Sequence, residues 1–352
     1  VARRDPARVR RTASEHSLEA PLDTAPPEPR GPLGTPPPEP PHTAHGAAGQ
    51  PAPGTPGQAP RAKPVRRFGV MLYPDQPFPV LAERLRLLEE LGFDQVFLPD
   101  HSADLRDARR PWFDSWSVLA TAAVVTGRIR IGTLVANQIL RPPAQLAKQA
   151  IALDHLSGGR FELGVGAGIF PWDHFSVGQE PWSPKERAER FTDYVTIVDG
   201  VLRGGVFSHR GARLWVKDVV TVPGSAQRPR LPITVGGQSP TLVRVAAERA
   251  DAWNTHGPPG ASAAEVLAIT AEQNQRLDRL AEAAGRDPAG IRRSYTVFGP
   301  WDPRAGRHTY EEIFERFLAA GVSEFVLDWP GEAHLEEFER VAREVIPPLR
   351  TG

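Results

Sequence analysis

The chain has 352 residues, no cysteine and a formal net charge of zero. Disulfide and thiolate chemistry are excluded, no overall charge draws the chain to nucleic acid or membrane, and no apolar run approaches the roughly 18 residues of a membrane span. The length suits one large domain or two ordinary ones, and the lack of cysteine fits a cytoplasmic location.

Residues 1–64 hold 16 of the 38 prolines and no Phe, Trp, Tyr, Ile or Met. Such a segment buries too little apolar surface to offset its ordering entropy, so disorder is predicted. Arg3-Arg4 and Arg10-Arg11 lack the following apolar core of a twin-arginine signal. The segment is a linker or interaction arm, or it lies upstream of a native start near Val65. Val1 is what a GTG codon read literally gives.

From Arg66 the composition changes, and residues 65–352 read as one folded unit. Phe68 to Tyr73 predicts a buried strand that stops at Pro74. Leu81, Leu85, Leu88 and Leu91 recur at helical spacing, and Gly92 ends that helix. A second strand, Phe93 to Leu98, delivers Pro99-Asp100-His101 to a loop. A helix follows over 113–126, then a third strand from Ile129 to Ala136. Pro142-Pro143 opens the next helix, where proline is tolerated. That helix stops at Ser157-Gly158-Gly159, and Phe161 to Val165 is the fourth strand.

An excursion follows, with an aromatic loop from Ile169 to Phe175, a helix from Lys185 to Leu202, and a hairpin around Val206-Phe207 and Leu214-Trp215-Val216. Strands five to eight are expected at 231–235, 252–254, 294–298 and 322–327. Helices are expected at 240–250, 263–284 and 310–320, with a closing helix over 338–346. Regular strand–helix alternation with eight strands predicts an α/β fold, a (β/α)8 TIM barrel with an insertion after strand 4. In that fold the site lies at the C-terminal ends of the strands.

The strand ends carry distinct chemistry. His101 after strand two is placed to move a proton near neutral pH, or to cap the barrel by bonding a loop. The charged loop from Asp104 to Arg110 reads as a solvated face. Ala136-Asn137-Gln138 after strand three suits a flat ring. Arg141 is placed to balance a phosphate or carboxylate, or is a surface arginine. Gly164-Val165-Gly166-Ala167-Gly168 after strand four permits close backbone approach to a ligand, or only relieves a tight turn. Gly236-Gly237-Gln238-Ser239-Pro240 after strand five offers a capped helix N-terminus, the chemistry of a phosphate site or of an ordinary helix start. No Walker loop, nucleophile elbow or metal-ligand spacing occurs.

With these residues placed, the chain resembles the luciferase-like monooxygenase family, and within it the oxidoreductases that use the deazaflavin coenzyme F420. The resemblance runs over most of 66–330. Its most specific part joins Arg141-Pro142-Pro143-Ala144-Gln145-Leu146-Ala147, Leu153-Asp154-His155-Leu156-Ser157-Gly158-Gly159-Arg160 and the glycine loop at 164–168. It implies a coenzyme ring near Ala136 and Asn137, at a bulge that in this family often holds a non-prolyl cis peptide. Gly166, Ala167 and Gly168 would then line the ring, and Gly236, Gly237 and Gln238 would hold the phosphate. His101 falls where deazaflavin-using relatives place an active-site histidine, with Asp100 to orient it. Asp173 and His174 are second candidates, since relatives often carry an acid and a histidine there. Ile169 stands where relatives often have tryptophan, and Pro142 where His or Asn precedes proline, so the substrate pocket does not carry over. The resemblance implies hydride transfer between F420 and a small organic substrate, and a homodimer. The rivals are an FMN-dependent monooxygenase using O2 and a partner reductase, and a non-catalytic flavin-binding barrel. Neither nucleic acid nor membrane is an expected partner.

Overall fold

The computed structural model describes residues 65–351; the expected disorder of 1–64 lies outside them. Eight parallel strands close a barrel: β1 (Arg67–Met71), β2 (Gln95–Leu98), β3 (Arg130–Asn137), β4 (Phe161–Gly166), β7 (Ile233–Gly236), β8 (Ala252–Thr255), β9 (Arg292–Thr296) and β10 (Glu324–Asp328), with β10 returning to pair with β1. The crossover helices are α1 (Phe78–Glu90), α2 (Ser115–Val125), α3 (Pro143–Leu156), α5 (Pro184–Leu202), α6 (Pro240–Arg249), α7 (Ala263–Ala283) and α8 (Tyr310–Ala319). The closing helix starts earlier than expected, at Leu335, and widens to a π turn over Val341–Val345.

The insertion between β4 and β7 adds a short helix α4 (Pro171–Ser176) and an antiparallel hairpin, β5 (Gly205–Arg210) with β6 (Trp215–Thr221). The aromatic stretch expected as loop is partly helical because Pro171 stands in the first turn, where its missing N–H costs nothing. Among the described residues no helix is long and apolar enough to cross a membrane.

Strands β9 and β10 begin or end about two residues from where apolar runs place them. The reason lies inside the barrel. Arg67, Arg130 and Arg292 turn inward and converge on Glu162 of β4, with Arg67 Nη1 at 3.0 Å and Arg292 Nη2 at 2.5 Å. Arg292 Nε also meets Glu324 at 3.0 Å. Burial opposes ionisation of Glu162, but Arg292, Arg130 and Arg67 outweigh it and hold the carboxyl below its ordinary range. A charged layer of this kind has no apolar signature, so a reading by apolar runs shifts the strand.

The turn after α3 is structural. Gly158 and Gly159 take left-handed φ of 66° and 84°, and their N–H groups bond the carbonyls of His155 and Asp154. Arg160 donates to the carbonyls of Ala123, Thr126 and Ile129 and so caps the end of α2. Asp154, fully buried, accepts from the Ala226 and Gln227 backbone and from Gln227 Nε2. The Asp154 to Arg160 part of the motif that carries the resemblance thus holds the scaffold together.

Candidate active site

The C-terminal mouth is shaped by a distortion in β3. Its pairing with β4 slips between Thr133 and Ala136, and the Leu134–Val135 peptide is cis. Two consecutive side chains, Leu134 and Val135, then pack with Met71, Phe97 and Val326 in the upper barrel interior. Ala136, expected beside a ring, is fully buried in the outer core instead. Regular alternation would have pointed it inward; the bulge reverses that.

Val135 explains two of the expected cofactor glycines. A methyl on Gly166 would overlap Val135 Cγ2, and one on Gly236 would come within 2.6 Å of Val135 Cγ1. Gly168, at φ 66°, leaves room for Asn137 Oδ1 and Ile139, while Gly164 leaves room for the Thr133 carbonyl. The close approach read from the glycine pattern is therefore made by β3. Ala167 is buried, and its carbonyl accepts from Gln138 Nε2 at 2.7 Å.

His101 leaves the end of β2 and meets a carboxylate from α4. Its Nδ1 lies 2.9 Å from Asp173 Oδ2. The same carboxylate accepts from Ser102 N at 2.9 Å and Ser102 Oγ at 2.8 Å on Oδ1, and from Asn137 Nδ2 at 2.9 Å on Oδ2. Burial opposes ionisation of Asp173, but the bonds from His101 and Ser102 outweigh it and hold the carboxyl below its ordinary range. An ionised carboxylate only accepts, so His101 Nδ1 carries the hydrogen. No hydrogen bond engages Nε2 among the described residues. The Trp112 indole bonds the His101 carbonyl at 2.9 Å, and the Phe170 ring stands edge-on to the imidazole at 5.3 Å.

Asp100, expected to orient His101, faces elsewhere. It pairs with Arg141 at 2.5 Å and accepts from Trp116 Nε1 and the Asn137 backbone N–H. Burial pushes its carboxyl up, and Arg141 pulls it back in part. Arg141 also bonds Asp114 at 3.0 Å, so its charge is matched within the protein. His174 is likewise apart from the mouth: its ring stands edge-on to Trp182 at 4.8 Å, and its Nδ1 has no partner among the described residues. Burial and the Arg187 charge keep it below its ordinary range, hence neutral.

On the other side of the β3 bulge, α6 presents its N-terminus. Ser239 caps it, accepting from Leu242 N. Gly237 has φ 135°, a conformation that favours glycine, and Gln238 is fixed by Nε2 donating to the Gly257 carbonyl at 2.6 Å. Among the described residues the N–H groups of Gln238, Ser239 and Thr241 have no partner within the chain. Adjacent free amides at a helix N-terminus suit an anion. The stretch after β4 and helix α4 expose an apolar rim, with Ile169 61% and Phe175 59% accessible and Trp172 stacked on Phe170 at 4.5 Å. Among the described residues no group of His, Asp and Glu is placed to hold a metal ion.

Sequence reasoning missed Val135, Ser102 and Trp112. The bulge exposes Val135, and no local pattern announces a cis peptide between two apolar residues. Ser102 and Trp112 act through contacts with Asp173 and His101 that only the fold creates.

Comparison with known proteins agrees with the barrel. An uncharacterized protein of Mycobacterium tuberculosis is 33% identical over 190 residues, covering 54% of this chain and 61% of that protein; the chain thus spans less than two thirds of that relative's length. The F420-dependent tetrahydromethanopterin reductase of Methanopyrus kandleri superposes with TM-score 0.65 at 19% identity, over 80% of this chain and 99% of that one. The oxygenating constituent of 3,6-diketocamphane monooxygenase of Pseudomonas putida, in complex with FMN, superposes with TM-score 0.61 at 16% identity, over 80% and 98%. These similarities at low identity show the fold. Residues 63–344, most of the chain and the whole of the barrel, match the luciferase-like monooxygenase family, and the chain belongs to it.

Proposed function

We propose that this chain is an F420-dependent oxidoreductase acting on a small organic substrate at the C-terminal mouth of its barrel. One observation carries the reading: an Asp173-bound imidazole, His101, whose Nε2 is free, stands at the barrel mouth that also holds the β3 bulge and the open N-terminus of α6.

The residues present fit the coenzyme. Val135, half-buried in the upper barrel interior, would offer a flat ring an apolar surface beside the bulge, and the unpaired amides after Gly237 suit a phosphate. Gly236 and Gln238 shape that end through Val135 and Gly257. Bound there, the deazaflavin supplies hydride chemistry that no side chain can. The protein's own part is to orient and to move a proton. Asp173 fixes the tautomer, and His101 Nε2 gives a proton to, or takes one from, the substrate oxygen or nitrogen at the reacting carbon. Phe170 stands edge-on to the imidazole and stacks on Trp172, giving that face an apolar wall.

FMN with O2 and a partner reductase is the rival on the same barrel. The glycine pattern does not separate the two, because Thr133, Val135 and Asn137 fill the space beside Gly164, Gly166 and Gly168. The resemblance in sequence to F420-using relatives supports the deazaflavin, including 26% identity over 268 residues to the 5,10-methylenetetrahydromethanopterin reductase of Methanolobus tindarius. A non-catalytic barrel would have no use for a carboxylate-oriented histidine. The test is turnover of reduced and oxidised F420 over a panel of alcohols, aldehydes, imines and enones. His101→Ala is expected to keep coenzyme affinity and to lose turnover by roughly 10²–10⁴-fold, the range for a general acid or base. Full turnover in that variant would remove His101 from the chemistry.

A further inference from the structure

We propose that Asn137 is the positioning residue that ties the β3 bulge to the proton-transferring pair, and that it acts through Asp173 and not by its side chain touching a coenzyme. The inference rests on the reading of His101 above and assigns a role that the resemblance gave differently.

Both ends of the Asn137 amide are occupied. Oδ1 accepts from the Ile139 backbone N–H at 3.0 Å, and Nδ2 donates to Asp173 Oδ2 at 2.9 Å. A backbone N–H can only donate and an ionised carboxylate can only accept, so the two partners fix which end of the amide is which. The whole residue, backbone included, is 2% exposed. It therefore offers a ring in the mouth almost no surface, and its side-chain amide faces the α4 carboxylate.

The arrangement is built from three elements. Asn137 ends β3, Asp173 comes from α4, and His101 follows β2. His101 Nδ1 and Asn137 Nδ2 share one oxygen of Asp173, each at 2.9 Å, so the amide sets where that oxygen sits and hence where the imidazole points. From below, the Asn137 N–H reaches Asp100 Oδ2, which Arg141 neutralises. From the side, Gly168 supplies the space: a Cβ there would overlap Asn137 Oδ1. The last glycine of the loop is thus where it must be for the amide to reach across.

The charged groups around the pair are few. Asp100 and Arg141 form their own ion pair on the β3 side. His174, next to Asp173 on α4, faces Trp182 and the Arg187 and Arg190 charges of α5. On the β2 side Ser102 is uncharged and donates two hydrogen bonds to the carboxylate. Asn137 is the one partner of Asp173 Oδ2 besides the imidazole among the described residues.

The experiment reads the His101 ring directly. Histidine-labelled protein is followed by the 15N shifts of its ring nitrogens at neutral pH, with His101→Gln to assign the signal. The dissociation constants of F420 and FMN are measured on the same samples. The wild type is expected to show a single tautomer with the hydrogen on Nδ1. Asn137→Ala is expected to lose that single-tautomer signature and to leave coenzyme affinity unchanged. Asn137→Asp keeps the shape and the Oδ1 acceptor for Ile139 but sets a second carboxylate against Asp173. The second negative charge beside Asp173 is expected to change the His101 ring shifts from those of the wild type. Unchanged His101 shifts in both variants would overturn the proposal. So would a tenfold or larger loss of coenzyme affinity in Asn137→Ala with the tautomer intact, since the amide would then be a coenzyme contact. Failure of both variants to fold would also overturn it, by making the residue purely structural. Loss of the tautomer in a chain whose His101→Ala variant retains full turnover would leave this inference standing and remove the proposed chemistry.

Discussion

Asp173 receives four donors on its two oxygens, from His101, Asn137 and both groups of Ser102. That count decides its chemistry. Its lowered range means the ionised form stabilises the folded site above the ordinary carboxylate range, and that contribution is lost as pH falls through the lowered folded value. Asp173→Asn keeps the size but sets an amide donor against two others, or turns the imidazole to the wrong tautomer. Turnover of F420 with an accepted substrate is expected to fall by up to roughly 10⁴-fold, the loss seen when a carboxylate that orients a catalytic histidine becomes an amide. A variant within a few-fold of wild type would show that Asp173 does not set the tautomer. Histidine and acid were both legible as single residues. Their pairing was not, because 72 positions separate them and the nearer acid, Asp100, was the natural partner on paper. Burial beside Arg141 takes Asp100 out of reach.

At the scale of elements, β3 and β4 act as one piece. The bulge turns Leu134 and Val135 inward together, and the glycines of β4 yield space for it. Gly166→Ala is therefore expected to destabilise the fold by about 1–3 kcal/mol through overpacking against Val135. Adding Val135→Ala should restore most of that loss, because it removes the group that clashes. Thermal unfolding of both variants checks this. If the second substitution restores nothing, the glycine serves something other than the bulge. The glycine pattern spoke clearly of close approach but could not say of what. Strand alternation failed at Ala136 for the same reason: a bulge changes which face a residue takes without changing its neighbours in sequence. The hairpin, the long helices and most strand positions were legible because each shows an apolar period or a capping residue. The strand edges at β9 and β10 were not, because inward-facing arginine and glutamate carry no such period.

Across the whole molecule, the charged layer around Glu162 sits at the end of the barrel opposite the mouth, where strands begin. Arg67, Arg130 and Arg292 reach it from three different strands, so the layer ties the barrel together across its interior. Glu162→Gln leaves those cations without their shared partner. Removing one member of such a buried group costs roughly 3–5 kcal/mol, which for a domain of this size lowers the melting temperature at pH 7 by on the order of 10 °C. The Glu162 carboxyl is held below its ordinary range, so its contribution is present above that range and declines as pH falls through the folded value. Wild type and variant should therefore converge in acid. An equal gap at every pH would mean that shape and not charge holds the layer.

The barrel scaffold and the mouth are separate in this chain: the turn at Ser157 to Arg160 and the layer at Glu162 hold the fold, and His101, Asp173, Val135 and the start of α6 lie at the mouth. The coenzyme is the claim on which the function depends. Titration of the purified full-length chain with F420 and with FMN, followed by coenzyme and tryptophan fluorescence, tests it most directly. Saturable binding of F420, tighter than that of FMN, is the expected result. Tight binding of FMN with none of F420 would contradict it.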